Sequence, residues 1–380
     1  MSVPDFSSRL SQLIHTPSIS SNDVKWDMSN QAVIALLANW LADLHFDIKI
    51  QPISDNKSNL IARFGSGSGG LILSGHTDTV PYDQTLWDQD PFQLTEKNNR
   101  LYGLGSCDMK GFFSFTIEAF LQFQPKQFTK PLYIVATCDE ESTMSGARAL
   151  DQQLPDSVDA VIIGEPTLLQ PIRKHKGIMF NQIVITGKSG HSSNPSLGNN
   201  AIEAMYDVIG VLLSLQTSLQ RQYHHIDFAV QYPTLNLGCI HGGDNVNRIC
   251  GQCELHFDLR SLPAMSTQKV MAELDEALEK ISQLKQVKIT RKLLTEEVPA
   301  FEQAEHTKLV MLAETLTAQQ SSAVAFATEA PFFHNKGLNT IILGPGSIDQ
   351  AHQPNEFLAL DQIKPGVKIL TQFIQHYCTS

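Results

Sequence analysis

Apolar positions in the first 178 residues follow two recurring patterns: short unbroken apolar runs and longer stretches at helical spacing. Residues 28–44 are apolar at helical spacing behind Ser29, a candidate cap, and predict a helix. The runs 59–64 and 71–74, joined by a glycine-serine turn at 65–70, read as strands. A helix from Gly111 to about Phe123 follows, then apolar strands at 132–137 and 160–164. Unbroken apolar strands separated by helices indicate a sheet covered on both faces, an α/β arrangement.

Near residue 178 the pattern changes. Residues 179–186 alternate with period two, as a half-buried strand does. A helix at 199–219, strands at 234–239 and 253–259, a helix at 266–284 and a strand at 287–291 come next. That is the element order of the split βαβ, ferredoxin-like sandwich. From about Pro299 the first style returns, with a helix at 305–316, a strand at 340–343 and a last helix from Asp361. The expected organisation is an α/β domain of residues 1–178 and 292–380, interrupted by an α+β domain of 179–291.

Composition narrows the possibilities. A chain of 380 residues fits about two domains. With 42% hydrophobic and 18% charged residues it can bury real cores. A net charge of -11 argues against nucleic acid or an anionic membrane surface as partner. The apolar stretch 32–44 is too short and too interrupted to span a bilayer, and the opening residues predict no export signal. Six scattered cysteines are not a disulfide framework, so a soluble cytoplasmic protein is expected.

The chemistry concentrates at strand ends. His76 and Asp78 follow an apolar strand two residues apart, so in extended geometry both point the same way, and Asp78 could receive the imidazole N–H of a ligating His76. Asp108, in a glycine-bearing loop ahead of a helix, reads first as an N-cap and second as a carboxylate bridging two cations. Cys138-Asp139-Glu140-Glu141-Ser142 closes a buried strand with a concentration of acid that needs compensation. On an extended chain one of Glu140 and Glu141 would ligate while the other faces a water. Glu165 ends the next apolar strand, and His352 follows the last one. Ligands of open α/β sheets sit at such strand ends. Histidine with carboxylates fits zinc, or cobalt or manganese in its place, and the summed acid charge favours two ions over one. Cys250 and Cys253, without a second pair, read as strand cysteines, His224 and His225 as solvated, and Lys174, His175 and Lys176 as too few for a nucleic-acid patch.

In order along the chain, Ser74-Gly75-His76-Thr77-Asp78-Thr79-Val80-Pro81, Asp108-Met109-Lys110-Gly111, Glu140-Glu141, Gly164-Glu165-Pro166-Thr167 and His352 with Asn355-Glu356 resemble the co-catalytic zinc amidohydrolase and metallopeptidase family. The resemblance covers essentially the whole chain. It implies a zinc-exopeptidase-like catalytic domain with a covered mixed sheet, and an inserted ferredoxin-like lid that also makes a homodimer. It further implies two divalent ions bridged by Asp108, with His76 and Glu165 completing one site and Glu141 and His352 the other. Glu140 would be the general base, Asp78 the orienter of His76, and His191, in the family's lid motif, a donor to the scissile carbonyl across the dimer. Asn247 and Arg260 fall where relatives contact a substrate carboxylate, although the family's proline after Asn247 is replaced here by Arg248-Ile249-Cys250. The runs Arg173-Lys174-His175-Lys176-Gly177 and Thr328-Glu329-Ala330-Pro331-Phe332-Phe333 are most similar to members that deacetylate N-acetylornithine. Thr328 and Glu329 are therefore candidate substrate contacts, Glu329 favouring a cationic side chain or else capping the Pro331 helix. The expected reaction releases ornithine and acetate for arginine synthesis. Desuccinylation of succinyl-diaminopimelate, or dipeptide hydrolysis, is the alternative. A non-catalytic scaffold is the remote one; it should have lost Glu140 or His191, and both are present.

Overall fold

The computed structural model describes residues 3–150, 153–155 and 157–379. Two compact units emerge. The larger comprises Met1–Arg173, Gln303–Ser322 and Thr328–Ser380, and the smaller Lys174–Glu302 with Ala323–Ala327.

In the larger unit, strands Ser58–Phe64, Leu71–His76, Leu132–Thr137, Ala160–Pro166 and Thr340–Gly344 are buried almost residue by residue. Because alternate side chains face opposite sides, continuous burial requires cover on both faces. The sheet runs Asp47–Pro52, Ser58–Phe64, Leu132–Thr137, Leu71–His76, Ala160–Pro166, Thr340–Gly344, Ile172–His175. Leu71–His76 lies parallel to both Leu132–Thr137 and Ala160–Pro166, and Ala160–Pro166 parallel to Thr340–Gly344. Ser58–Phe64 joins antiparallel, so the sheet is mixed. The parallel strands therefore end side by side, and their carboxyl ends form one edge.

Two glycines let a helix settle onto that edge. A Cβ at Gly164 would lie 2.2 Å from Phe112 Cγ, and one at Gly75 2.6 Å from Met109 Cε. Helix Gly111–Phe120 thus packs directly on the strands, burying Phe112, Phe113 and Phe115 in one core with Ile369, Phe373 and Ile374 of the final helix, Ile363–Cys378. Each such side chain contributes about 1.5–3 kcal/mol. The helix expected at 28–44 is observed at Gln31–Asp43 with Asn30 at its N-cap; the Ser29 hydroxyl accepts the N–H of Gln31 (3.2 Å) and donates to Asn56 O (2.8 Å).

The smaller unit has strand order Thr234–Gly242, Gln252–Ser261, Gly177–Thr186, Lys288–Leu293, all antiparallel, with helices Ala201–Gln222 and Thr267–Lys285. Asn200 and Ser266 start these helices by accepting the N–H of Ile202 (3.0 Å) and Lys269 (3.3 Å). The unit is wider than the 179–291 expected, because its entry and exit segments pair with each other, Phe301 opposite His175 and Glu302 opposite Lys174. That long-range ladder leaves no local pattern. Ala201–Gln222, rather than residues 32–44, is the described helix long and apolar enough to cross a membrane by length and composition, but Ala204, Met205, Val208 and Leu212 are buried in the unit's own core.

The basic run is structural here. Lys174 Nζ lies 2.8 Å from both Asp227 and Glu302 and 3.0 Å from His225, so His225 is not simply solvated. Lys176 donates to Tyr232 O (2.7 Å). His175 is fully buried, its Nδ1 2.9 Å from Lys176 O and its ring 5.4 Å from Phe301, and burial pushes its pKa down to about 4 from the ordinary 6.5. The unfolded chain therefore binds a proton that the folded chain refuses. Stability from this group is complete above pH 6.5, is lost as pH falls from 6.5 towards 4, and changes no further below that, about 3 kcal/mol in all. Urea midpoints measured across that window should show the slope, and His175→Gln should flatten it; an unchanged slope would place the loss on other groups.

Candidate metal centre

The strand ends supply the site. His76 is the last residue of Leu71–His76, and Asp78 follows two residues on. The Asp78 interaction differs from expectation: His76 Nδ1 lies 3.0 Å from the Asp78 backbone carbonyl, whereas the carboxylate is 3.7 Å away. That carboxylate instead accepts the N–H of Glu141 (3.0 Å), tying two strand ends together. Its other oxygen is buried without a partner, and burial pushes the acid up to about 6.

Asp108 does not cap the helix. The N-cap position is Lys110, which has no side-chain cap bond. Asp108 is freed to face two ways, with Oδ1 3.1 Å from His76 Nε2 and Oδ2 3.7 Å from His352 Nε2. Glu165 lies 3.8 Å from His76, and Glu141 2.9 Å from His352.

Nor is the Glu140-Glu141 pair on an extended chain. The strand stops at Thr137, and Asp139 takes a left-handed conformation (φ 57°), so the chain turns and both acids approach His76 instead of facing opposite sides. Donor atoms of His76, Asp108 and Glu165, of Asp108, Glu141 and His352, and of His76, Glu140 and Glu141 each fall within 4.8 Å of one another. Asp108, His76 and Glu141 each belong to two of these groups.

The electrostatics of the cluster favour positive charge among the acids. Burial, reinforced by neighbouring acids, pushes Glu140 and Glu165 well above the usual carboxylate range. Burial opposes the protonation of His76, but the Asp108 hydrogen bond and the charges of Glu165, Asp78 and Glu140 outweigh it and raise its pKa. The Glu141 hydrogen bond lifts His352 to about 9. Nitrogen and carboxylate donors this close suit divalent cations such as zinc.

Some supporting residues escape the sequence reading. Lys57 Nζ pairs with Asp139 (2.8 Å) and Asp27 (2.7 Å), while Ser20 and Ser145 hydroxyls donate to Asp139 (2.9 Å each), clamping the turn that carries Glu140. No local spacing links the 20–27 loop, Lys57 and the 139–145 turn. Glu356, noted in sequence only as part of a motif, is buried and accepts backbone N–H groups of the Asp108 loop.

Of the remaining candidates, Thr328 is buried and accepts the N–H of Ala330 (3.1 Å). Glu329 makes no cap bond, so the capping alternative fails. It is fully buried, and neither of its oxygens has a partner. The neighbouring Thr137 hydroxyl is committed to Gly75 O (3.2 Å), and burial pushes Glu329 up to about 7. In the smaller unit His191 is exposed and lies beside Asn247, since Ser192 N–H donates to Asn247 O (3.1 Å). Ser193 N–H donates to His191 Nδ1 (3.2 Å); an N–H can only donate, so Nδ1 is the acceptor and neutral His191 carries its proton on Nε2. Arg260 is held by Asp258 (2.8 Å). Cys250 and Cys253 are buried and free.

The chain is similar to known proteins over its whole length. The chain is 50% identical over 378 residues to an acetylornithine deacetylase of Vibrio cholerae serotype O1, covering 100% of both chains. A tripeptidase from Staphylococcus aureus shares the fold with a TM-score of 0.78 at 18% identity, over 98% of this chain and 97% of that one. A Bacillus subtilis protein described as a dinuclear metal binding peptidase superposes with a TM-score of 0.69 at 14% identity, over 97% and 96%. The sequence pattern of Peptidase family M20/M25/M40 matches residues 72–376, and with half of all positions identical to a full-length relative the chain belongs to that family.

Proposed function

We propose that this hydrolase removes the acetyl group of N2-acetyl-L-ornithine, giving L-ornithine and acetate in arginine synthesis, with two divalent cations, most simply Zn2+, and Co2+ or Mn2+ as substitutes. The observation that carries the reading is Asp108, whose two oxygens face His76 on one side and His352 on the other. His76 and Glu165 would hold one cation with it, and Glu141 and His352 the second. Bound cations would supply Lewis acidity, lowering the pKa of a water and polarising the acyl oxygen. Glu140 accepts the proton of that water and returns it to the leaving nitrogen. Asp78 fixes the Glu141 backbone and stands next to His76. His191, with its proton on Nε2, donates to the oxyanion. Asn247 and Arg260 are assigned to the substrate carboxylate, with Thr328 and Glu329 as further contacts. The full-length relative's name supports the acetylornithine substrate.

We also assign a cytoplasmic homodimer formed through the smaller unit. Six free cysteines suit a reducing compartment. The Thr234–Gly242 strand ends its sheet and exposes Ile240, while the Ala201–Gln222 helix exposes Ile202 and Tyr206.

Dialysis against a chelator should abolish activity, and Zn2+ or Co2+ should restore it. The restored enzyme should prefer acetylornithine to succinyl-diaminopimelate by roughly tenfold or more in kcat/KM. Full activity without metal, or the reverse preference, would overturn the proposal.

A further inference from the structure

Segment Ala351–Glu356 does more than carry His352. Asn355, in a left-handed conformation (φ 60°), accepts the backbone N–H of Asp88 with its side-chain oxygen (2.9 Å). One residue on, Glu356 turns inward and is 1% exposed. Its Oε1 accepts the N–H of Cys107 (2.8 Å), of Asp108 (3.0 Å) and of Gly105 (3.1 Å), and Oε2 also accepts from Gly105 (3.1 Å). Gly103 N–H completes the junction by donating to Glu356 O (3.1 Å).

Burying a carboxylate is costly unless donors compensate it, and here the donors are backbone amides of the one loop that carries Asp108. A carboxylate is suited to this task because it only accepts. An amide in its place would turn an NH2 group towards a backbone N–H. Four residues earlier, His352 approaches Asp108 Oδ2 at 3.7 Å. One short segment therefore carries a histidine facing Asp108 and also grips the backbone on which Asp108 sits.

We infer that Glu356 is a positioning residue of the metal centre, setting the separation between Asp108 and His352 by holding the Gly105–Asp108 backbone. The inference rests on the proposed metal reading. Partners behind ligating residues commonly contribute roughly 10–100-fold to metal affinity or activity.

The test uses the full-length protein stripped of metal, with Co2+ alone as the probe. In Glu356→Gln, Co2+ affinity measured by calorimetry should fall by roughly 10–100-fold. The visible Co2+ absorption should change shape, kcat should fall with KM for acetylornithine little altered, and the metal-free protein, though lowered in Tm, should still unfold in one cooperative transition above the assay temperature. Unchanged Co2+ affinity and spectrum would overturn the inference and leave Glu356 a packing residue. Should the Gln variant not fold, Glu356→Asp, which keeps the charge but withdraws it by one methylene, is measured with the same expected and overturning results. Wild-type protein that binds no Co2+ would instead sink the metal reading itself, so the two failures are distinct.

Discussion

Glu140→Gln is expected to lower turnover by roughly 10²–10⁴-fold or more while metal content stays at that of the wild type. The substitution removes one proton acceptor and keeps the shape of the side chain. Glu140 is absent from the two groups that Asp108 joins, so the proposed ligands His76, Asp108, Glu141, Glu165 and His352 all remain. Burial and the charge of Glu165 hold the Glu140 carboxyl well above the usual range. Metal analysis and steady-state kinetics on the same preparation decide the matter. Normal turnover would remove Glu140 from the base role, and lost metal would make it a ligand instead.

Mixing two inactive variants should restore activity if the histidine acts across the dimer. His191 belongs to the smaller unit, whereas Glu140 and the proposed ligands belong to the larger. If each centre takes its metals and Glu140 from one chain and His191 from the other, neither the His191→Ala nor the Glu140→Gln homodimer turns over well. After subunit exchange about half the dimers are mixed, and each mixed dimer rebuilds one intact centre, giving about a quarter of wild-type activity. A histidine serving its own chain predicts no recovery, because every centre then carries one defect. Confirmed exchange without regained activity would exclude the trans assignment.

The ease of reading the site came from where its residues sit. His76, Glu140, Glu141 and Glu165 follow apolar runs whose burial is locally encoded, and parallel strands deliver their carboxyl ends to one edge. Sequence and structure differ where the local conformation departs from regular geometry. The 138–141 segment was expected to be extended, but the left-handed Asp139 turns both acids inward. Taken alone, the Asp108 loop reads as a helix cap, but the helix starts at Gly111 beyond Lys110. Glu329 reads in sequence as a possible cap of the Pro331 helix, but it is buried and makes no cap bond.

Sequence alone thus determined the α/β class, the inserted split βαβ and the set of acids and histidines, because hydrophobic period and residue chemistry are local properties. Tertiary structure alone decided which atoms face one another. The two-sided placement of Asp108, the Lys57 clamp on Asp139 and the Glu356 grip on the Asp108 loop join segments tens to hundreds of residues apart. Such contacts follow from strand order and loop closure, which no spacing along the chain records.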